Sequence, residues 1–292
     1  MKVKKAVILA AGLGTRMLPA TKSVPKELFP IVDKPALQYI VEELVNSGIT
    51  EIMIVISRGK TLIEDHFDRS PELEERLIEG GEKKADILKD VQKISNMANI
   101  MYVRQKTMNG TGGALMTARS FTGNEPFAVL YGDDVIMNDS YPVTKQLIDA
   151  YEEFGRGVAG VQEVSEEAIQ KYSSMKVSSI RDNLYNLTDM IEKPNKDQIF
   201  SLFSILGRIV LPAEIYDILD RTPLGANNEL QLTDAMKILA NETGMIAVDF
   251  IGKRYDMGNK LGVMQAQVET ALKHPEIGKE FREYLKEFAK TL

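Results

Sequence analysis

Within its first sixty residues the chain passes from strand to small-residue loop to helix to strand. That order constrains the fold more than any other feature of the sequence. Val7-Ile8-Leu9, preceded by Lys4-Lys5, is a short apolar run that reads as a buried strand. After a loop from Ala10 to Lys26 and a connector from Pro30 to Pro35, Leu37, Ile40, Val41, Leu44 and Val45 recur at helical spacing. Pro35 is a good first helical residue, and Gly48 ends the element. Ile52 to Ile56 is a second apolar strand. This is a βαβ unit and implies a parallel sheet. Its loop falls at the carboxyl end of the first strand, where open α/β sheets place ligands.

The loop reads AAGLGTRMLPATKSVPK. Its small residues let backbone approach a ligand closely, and exposed N–H groups in such a turn can line a phosphate path. Arg16 adds a bidentate phosphate donor and Lys26 a compact charge. A loop with these parts can hold a triphosphate. It is not the dinucleotide fingerprint, because Met17 stands where the third glycine belongs. Nor is it a P-loop, because no Gly-Lys-Ser/Thr closes it. On the glycines alone, an ordinary tight turn remains open.

Composition narrows the chemistry. A net charge of −6 argues against a nucleic-acid partner, so an anionic substrate needs a local basic pocket. The absence of cysteine excludes disulfides, cysteine-ligated zinc and a thiol nucleophile, and suits a reducing cytoplasm. His66 and His274 are the only histidines and lie far apart, which argues against a histidine metal site or triad. Met1 to Lys5 lead straight into a strand with no signal-peptide apolar region, and no run approaches membrane-spanning length. A cytoplasmic protein with no membrane partner is expected.

Further along, helices are expected from Ser70 to Gly80 and from Glu82 to Met97, both covering the sheet, with His66 at or near the surface. Ile100 to Val103 is the next strand, followed by a glycine-rich loop and a helix from Ala114 to Arg119. Gln105, in that loop, offers an acceptor and a donor together, as a pyrimidine edge demands; a plain solvent loop fits the same residues. Phe127 to Tyr131 is the strongest strand and ends in Gly132-Asp133-Asp134. Carboxylates at a central strand end suit Mg²⁺, though an Asp-rich turn would read the same way. Tyr141 to Phe154 reads as a helix and Val158 to Val164 as a strand. Tyr172 to Ile191 alternates weakly, like strands reaching away from the main sheet, and leads into Glu192-Lys193-Pro194. Ser204 to Leu211 is a strand, Pro212 starts a helix, and Leu230 to Ala240 forms another. Met245 to Ile251 is a last strand, with Asp256 a further metal-ligand candidate near its end. Leu261 to Leu292 is helical, with Phe281, Tyr284, Leu285 and Phe288 on one apolar face, packed on the body or against another subunit.

Eight strings carry a family resemblance. They are AAGLGTRMLPATKSVPKE (Ala10 to Glu27), IVDKPALQYIVEE (Ile31 to Glu43), IEDHFDRSPELE (Ile63 to Glu74), RQK (Arg104 to Lys106), EPFAVLYGDD (Glu125 to Asp134), IEKP (Ile191 to Pro194), ELQLTDA (Glu229 to Ala235) and RYDMGNKLG (Arg254 to Gly262). Over nearly the whole chain they resemble the sugar-phosphate nucleotidylyltransferases, most closely the bacterial UTP–glucose-1-phosphate uridylyltransferases. The resemblance implies a Rossmann-like α/β fold with a mixed central sheet flanked by helices. It implies a nucleotidyltransferase domain over 1–260 with a sugar-binding insertion near 165–205, then a C-terminal helical segment over 261–292. It implies UTP and glucose 1-phosphate as substrates, Mg²⁺ as cofactor and a homo-oligomer. Ala11, Gly12, Gln105 and Gly110 would read uracil; Gly14, Thr15 and Arg16 would hold the triphosphate, and Lys26 the α-phosphate. Asp133 and Asp256 would hold Mg²⁺, Glu192 the sugar hydroxyls and Lys193 the sugar phosphate.

The chain departs from the family pattern in three places. RQKTMNGTGGAL stands where the family has Arg-Gln-Lys-Glu-Pro-x-Gly-x-Gly-His-Ala, so Gly113 replaces a histidine. Tyr172-Ser173-Ser174 stands where a Tyr-Gly precedes the sugar loop, and Asn227-Asn228 where a glycine is common. Another hexose 1-phosphate, dTTP in place of UTP, or a weakly active regulatory paralogue therefore stay open at this stage.

Overall fold

The computed structural model describes residues 2–138, 140–225 and 228–292. The chain enters through β1 (Lys5–Leu9), makes a small hairpin of β2 (Pro30–Ile31) and β3 (Lys34–Pro35), and continues into α1 (Ala36–Asn46) and β4 (Glu51–Ile56). Helices α2 (Thr61–Phe67), α3 (Pro71–Glu79) and α4 (Ala85–Asn96) lead to β5 (Asn99–Arg104). Next come α5 (Gly110–Met116), α6 (Arg119–Thr122), β6 (Phe127–Tyr131), β7 (Asp134–Met137), α7 (Val143–Phe154), β8 (Val158–Glu163) and α8 (Glu166–Ile169). A long hairpin of β9 (Ser173–Arg181) and β10 (Leu184–Glu192) precedes β11 (Phe203–Leu211), α9 (Ile215–Arg221), α10 (Leu232–Glu242) and β12 (Met245–Asp249). The chain closes with β13 (Lys253–Asp256), α11 (Lys260–Ala271) and α12 (Gly278–Ala289).

Nine strands form one mixed sheet in the order β5-β4-β1-β6-β11-β8-β12-β10-β9. The first four run parallel, β11 is antiparallel to both its neighbours, and β8 and β12 are parallel to each other. Both faces are buried, which is why β1 is apolar from Ala6 to Leu9. Ala6 and Ile8 point into a layer with Leu37, Ile40 and Leu44 of α1 and Leu147 of α7. Val7 points into the opposite layer, with Leu115 of α5, Ile215 of α9 and Leu232 and Met236 of α10. The Rossmann-like expectation and the βαβ opening hold.

Five expectations change. The 172–191 strands do not leave the main sheet: β10 pairs antiparallel with β12, and β9 forms the sheet edge. Their weak alternation reflects an edge, where one strand of the pair lacks a second neighbour. The helix after β5 starts at Gly110 rather than Ala114, held by a long-range contact in which Gly112 N–H donates to the Leu230 carbonyl at 2.9 Å. Asp256 ends a separate strand, β13, which pairs with β7 as a two-stranded ribbon. α4 carries no fully buried residue, so it covers the sheet only through half-buried side chains such as Ile94. The C-terminal segment is two helices, and α12 buries only Gly278 while Tyr284 and Phe288 stay exposed. Among the described residues no helix is long and apolar enough to cross a membrane. Of the Asn227-Asn228 departure, Asn227 lies outside the described residues; Asn228 has left-handed backbone, φ 59°.

Candidate active site

β1 and β6 are parallel neighbours in register, with Leu9 opposite Tyr131. The loops that leave them, one beginning at Ala10 and the other at Gly132-Asp133, therefore open on the same edge. The first loop folds back on itself. Gly14 takes φ 67°, a conformation that disfavours a side chain, and its carbonyl accepts the Thr21 hydroxyl at 2.8 Å. Thr15 to Met17 then make one short turn that leaves Thr15 and Arg16 exposed.

Lys26 reaches across from the same loop and forms an ion pair with Asp133. Burial works against its ammonium, but the charge and hydrogen bond of Asp133 outweigh it, so the lysine pKa stands above its usual value. Arg16 bridges the two acidic candidates, with nitrogen-to-oxygen distances of 4.0 Å to Asp133 and 3.6 Å to Asp256. Asp256 arrives on the β7–β13 ribbon, in which it pairs with Asp134. Its Oδ1 accepts Gly258 N–H at 2.8 Å, and Met257 N–H donates to the Asp133 carbonyl at 2.8 Å. A Cβ at Gly258 would lie 2.6 Å from Asp133 Oδ2 and 2.9 Å from Asp256 Oδ1. The glycine thus keeps a small open space bounded by both carboxylates and Arg16.

Two carboxylates suit a divalent cation that fills its remaining positions with water and phosphate oxygens. Among the described residues no group of three or more acidic, His or Cys side chains gathers into an all-protein cage. The adjacent Asp134 is of a different kind. It is buried and holds Arg254 Nε at 2.7 Å; burial pushes its pKa up to about 6, against the pull of Arg254. Asp134 therefore anchors the ribbon that carries Asp256.

Beneath the loop lies a buried pair that the sequence did not single out. Lys60 donates to both Glu27 oxygens at 2.8 and 2.9 Å and to the Ala10 carbonyl at 2.6 Å. Burial raises the Glu27 pKa and lowers that of Lys60, each opposed by the other's charge. Lys60 thus ties the two ends of the Ala10–Glu27 loop together from below. Glu27 belongs to the quoted loop string, but nothing local marks Lys60 as its partner.

Beside this polar mouth lies a cleft of about 280 Å³. Ala11, Gly12, Lys26, Gln105, Gly110 and Asp133 line it, so six of the expected site residues meet in one cavity. Met108, Tyr131, Glu229 and Gln231 complete much of the wall. The last two come from the ELQLTDA string, which had no assigned role. Gly110 takes φ 96°, and a Cβ there would stand 2.4 Å from the Leu230 carbonyl.

Glu192 and Lys193 fall outside that cavity, at the end of β10. Thr233 donates to Glu192 Oε2 at 3.1 Å, and burial raises the Glu192 pKa against that bond and the Lys193 charge. Lys193 is exposed; its left-handed backbone, φ 47°, turns the chain out of the sheet, and its N–H donates to the Tyr172 carbonyl at 2.7 Å. Ser173, one of the departures, is buried and stands directly opposite Glu192 in the strand register.

The nucleotidyl transferase family model matches residues 5–273. The chain is similar to a UTP–glucose-1-phosphate uridylyltransferase of Staphylococcus epidermidis, 49% identical over 98% of each chain. It is also similar to a UTP-bound UGPase from Acinetobacter baumannii (36% identity, 98% of this chain and 99% of that one, TM-score 0.90). A UDP-glucose pyrophosphorylase complexed with UDP-glucose matches with 38% identity over 93% of this chain and 100% of that one, at a TM-score of 0.85.

Proposed function

The chain belongs to the nucleotidyl transferase family and, within it, to the UTP–glucose-1-phosphate uridylyltransferases, and from its site we infer that it transfers UMP from UTP to glucose 1-phosphate. A phosphate oxygen of glucose 1-phosphate attacks the α-phosphorus of UTP. The new O–P bond gives UDP-glucose as the bond to the β-phosphate breaks, and pyrophosphate departs with the electron pair. The attacking oxygen is already anionic, so the site needs no general base, consistent with a mouth built from Lys, Arg and Asp. The observation that carries this reading is the meeting of Lys26, Arg16, Asp133 and Asp256 beside the cleft that Gln105 and Gly110 line.

In this reading Ala11, Gly12, Gln105 and Gly110 hold the uracil, and Gly14, Thr15 and Arg16 hold the triphosphate. Lys26 and Arg16 turn from the carboxylates toward phosphate oxygens when UTP arrives, because both cations can trade one anion for another at little cost in desolvation. Asp133 and Asp256 are then free to hold a divalent cation, proposed as Mg²⁺, which supplies charge neutralisation to the phosphates when bound. Lys193 takes the sugar phosphate and Glu192 the sugar hydroxyls, with the β9–β10 edge as the sugar-binding insertion. Positioning and fixed positive charge do the catalytic work.

The apolar face of α12, where Phe281, Tyr284 and Phe288 stack in series, is the surface we assign to self-association. A cytoplasmic setting fits a cysteine-free enzyme that consumes a nucleoside triphosphate. The deciding experiment follows pyrophosphate release from UTP and Mg²⁺ against glucose, galactose, N-acetylglucosamine and mannose 1-phosphates. A glucose preference in the wild type, with turnover largely lost for every sugar in Asp133→Ala, is expected. Turnover with a different sugar alone would overturn the substrate, and no turnover in folded, UTP-binding protein would overturn the reaction.

A further inference from the structure

Gln105 is 6% exposed and lies against the cleft, just beyond β5. Its Nε2 donates twice within the protein, to Asn109 Oδ1 at 2.9 Å and to the Gly110 carbonyl at 3.2 Å. A backbone carbonyl can only accept, so the Gly110 contact fixes which end of the Gln105 amide faces inward. Asn109 must then present its oxygen. Both Nε2 hydrogens are spent, and Gln105 Oε1 takes no hydrogen bond from the described residues. The donor-and-acceptor role expected for Gln105 from sequence is thereby reduced to a lone acceptor.

Asn109 holds this place only because residue 113 is glycine. A Cβ at Gly113 would lie 2.0 Å from Asn109 Oδ1 and 2.4 Å from its Cγ. The two positions share one space, and both belong to the stretch in which the chain departs from its family's pattern.

We propose that Asn109 is a positioning residue for base selection: it locks the Gln105 amide so that a single acceptor meets the base. Such a site takes a pyrimidine with an N–H at ring position 3, as in uracil. It turns away one with a lone pair there, as in cytosine, because two acceptors would face each other across a desolvated contact. The inference rests on the reading that this cleft takes the base of UTP. The Gly110 carbonyl still holds Nε2 when Asn109 is removed, so the lock weakens rather than vanishes.

The test is steady-state kinetics with UTP and CTP on the wild type, Asn109→Ala, Asn109→Asp, Gly113→Ala and the Asn109→Ala/Gly113→Ala double variant. Asn109 is on the surface, so its truncation leaves the core intact. Asn109→Ala is expected to lower the UTP-over-CTP ratio of kcat/KM about tenfold, the scale of one hydrogen bond at a buried polar contact. The change should fall in the nucleotide KM, with kcat and the KM for glucose 1-phosphate unchanged. Asn109→Asp keeps an acceptor for Nε2 and should keep the ratio. Gly113→Ala leaves Asn109 in the sequence but takes its space, so it should reproduce the loss, and the double variant should fall no further than either single. An unchanged ratio in Asn109→Ala, equal damage from Asn109→Asp, or additive losses in the double variant would overturn the role of Asn109 alone. A wild type indifferent to UTP and CTP would overturn the base-site reading and this proposal with it.

Discussion

The proposed phosphate end and the proposed sugar end of the site are built differently. The phosphate end rests on β1 and β6, central parallel strands buried on both faces, and on a ribbon anchored by Asp134 and Arg254. Its functional groups contact one another: Lys26 with Asp133, Arg16 with both Asp133 and Asp256. The sugar end rests on the outermost hairpin of the sheet, where Glu192 leans on Thr233 and Lys193 stands exposed. A central end with interlocked charges tolerates little change, whereas an edge can vary without disturbing the core. The Ser173 departure lies at that edge, and the charged groups of the phosphate string are all in place.

This contrast can be broken by measurement. The largest effect is expected from Asp133→Ala, which should lower kcat about 10³-fold with every sugar, against about 10²-fold for Lys193→Ala, both read by pyrophosphate release. Equal losses would erase the distinction between the two ends.

Lys60→Met is expected next. It leaves Glu27 buried without its partner and should cost about 3–5 kcal/mol of unfolding free energy in a denaturant titration. Lys193→Met, at an exposed position, should stay within about 0.5 kcal/mol in the same titration. A Lys60→Met protein as stable as wild type would show that the loop is not held from below.

Ser173→Gly should change the relative kcat/KM among hexose 1-phosphates by about tenfold while the KM for UTP stays put. A change in the UTP KM would mean the two ends are coupled.

The smallest effect concerns pH. Burial raises the Glu192 pKa, so its carboxylate protonates at a higher pH than that of an exposed glutamate. As pH falls through that raised value the acceptor is lost, and the KM for glucose 1-phosphate should rise a fewfold. Glu192→Gln should lack this limb while retaining whatever pH dependence the substrate phosphate contributes. An identical profile in both proteins would remove Glu192 from the sugar site.

Much of the frame was legible because it is local. Apolar runs such as Phe127 to Tyr131 coincide with strands, since a doubly buried strand has no room for polar residues. The α1 stripe reads directly from its spacing. The edge hairpin misled because β9 beyond Met175 has no fully buried residue on either face, so its alternation is weak, and β13 escaped notice because Lys253-Arg254-Tyr255-Asp256 reads as a charged turn. Its strand character comes from pairing with β7, a partner remote in sequence.

The sequence by itself determined which groups the candidate site has to work with: a small-residue loop with Arg16 and Lys26, the carboxylates of Asp133 and Asp256, and no nucleophilic thiol. These are properties of residue type and short spacing, which survive without coordinates. Only the tertiary structure decided how those groups are held. Lys60 under the loop, Arg254 on Asp134, and Asn109 on Gln105 depend on which atoms face which across the fold. The inward turn of one amide and the space left by one glycine are set by packing, and no linear pattern records them.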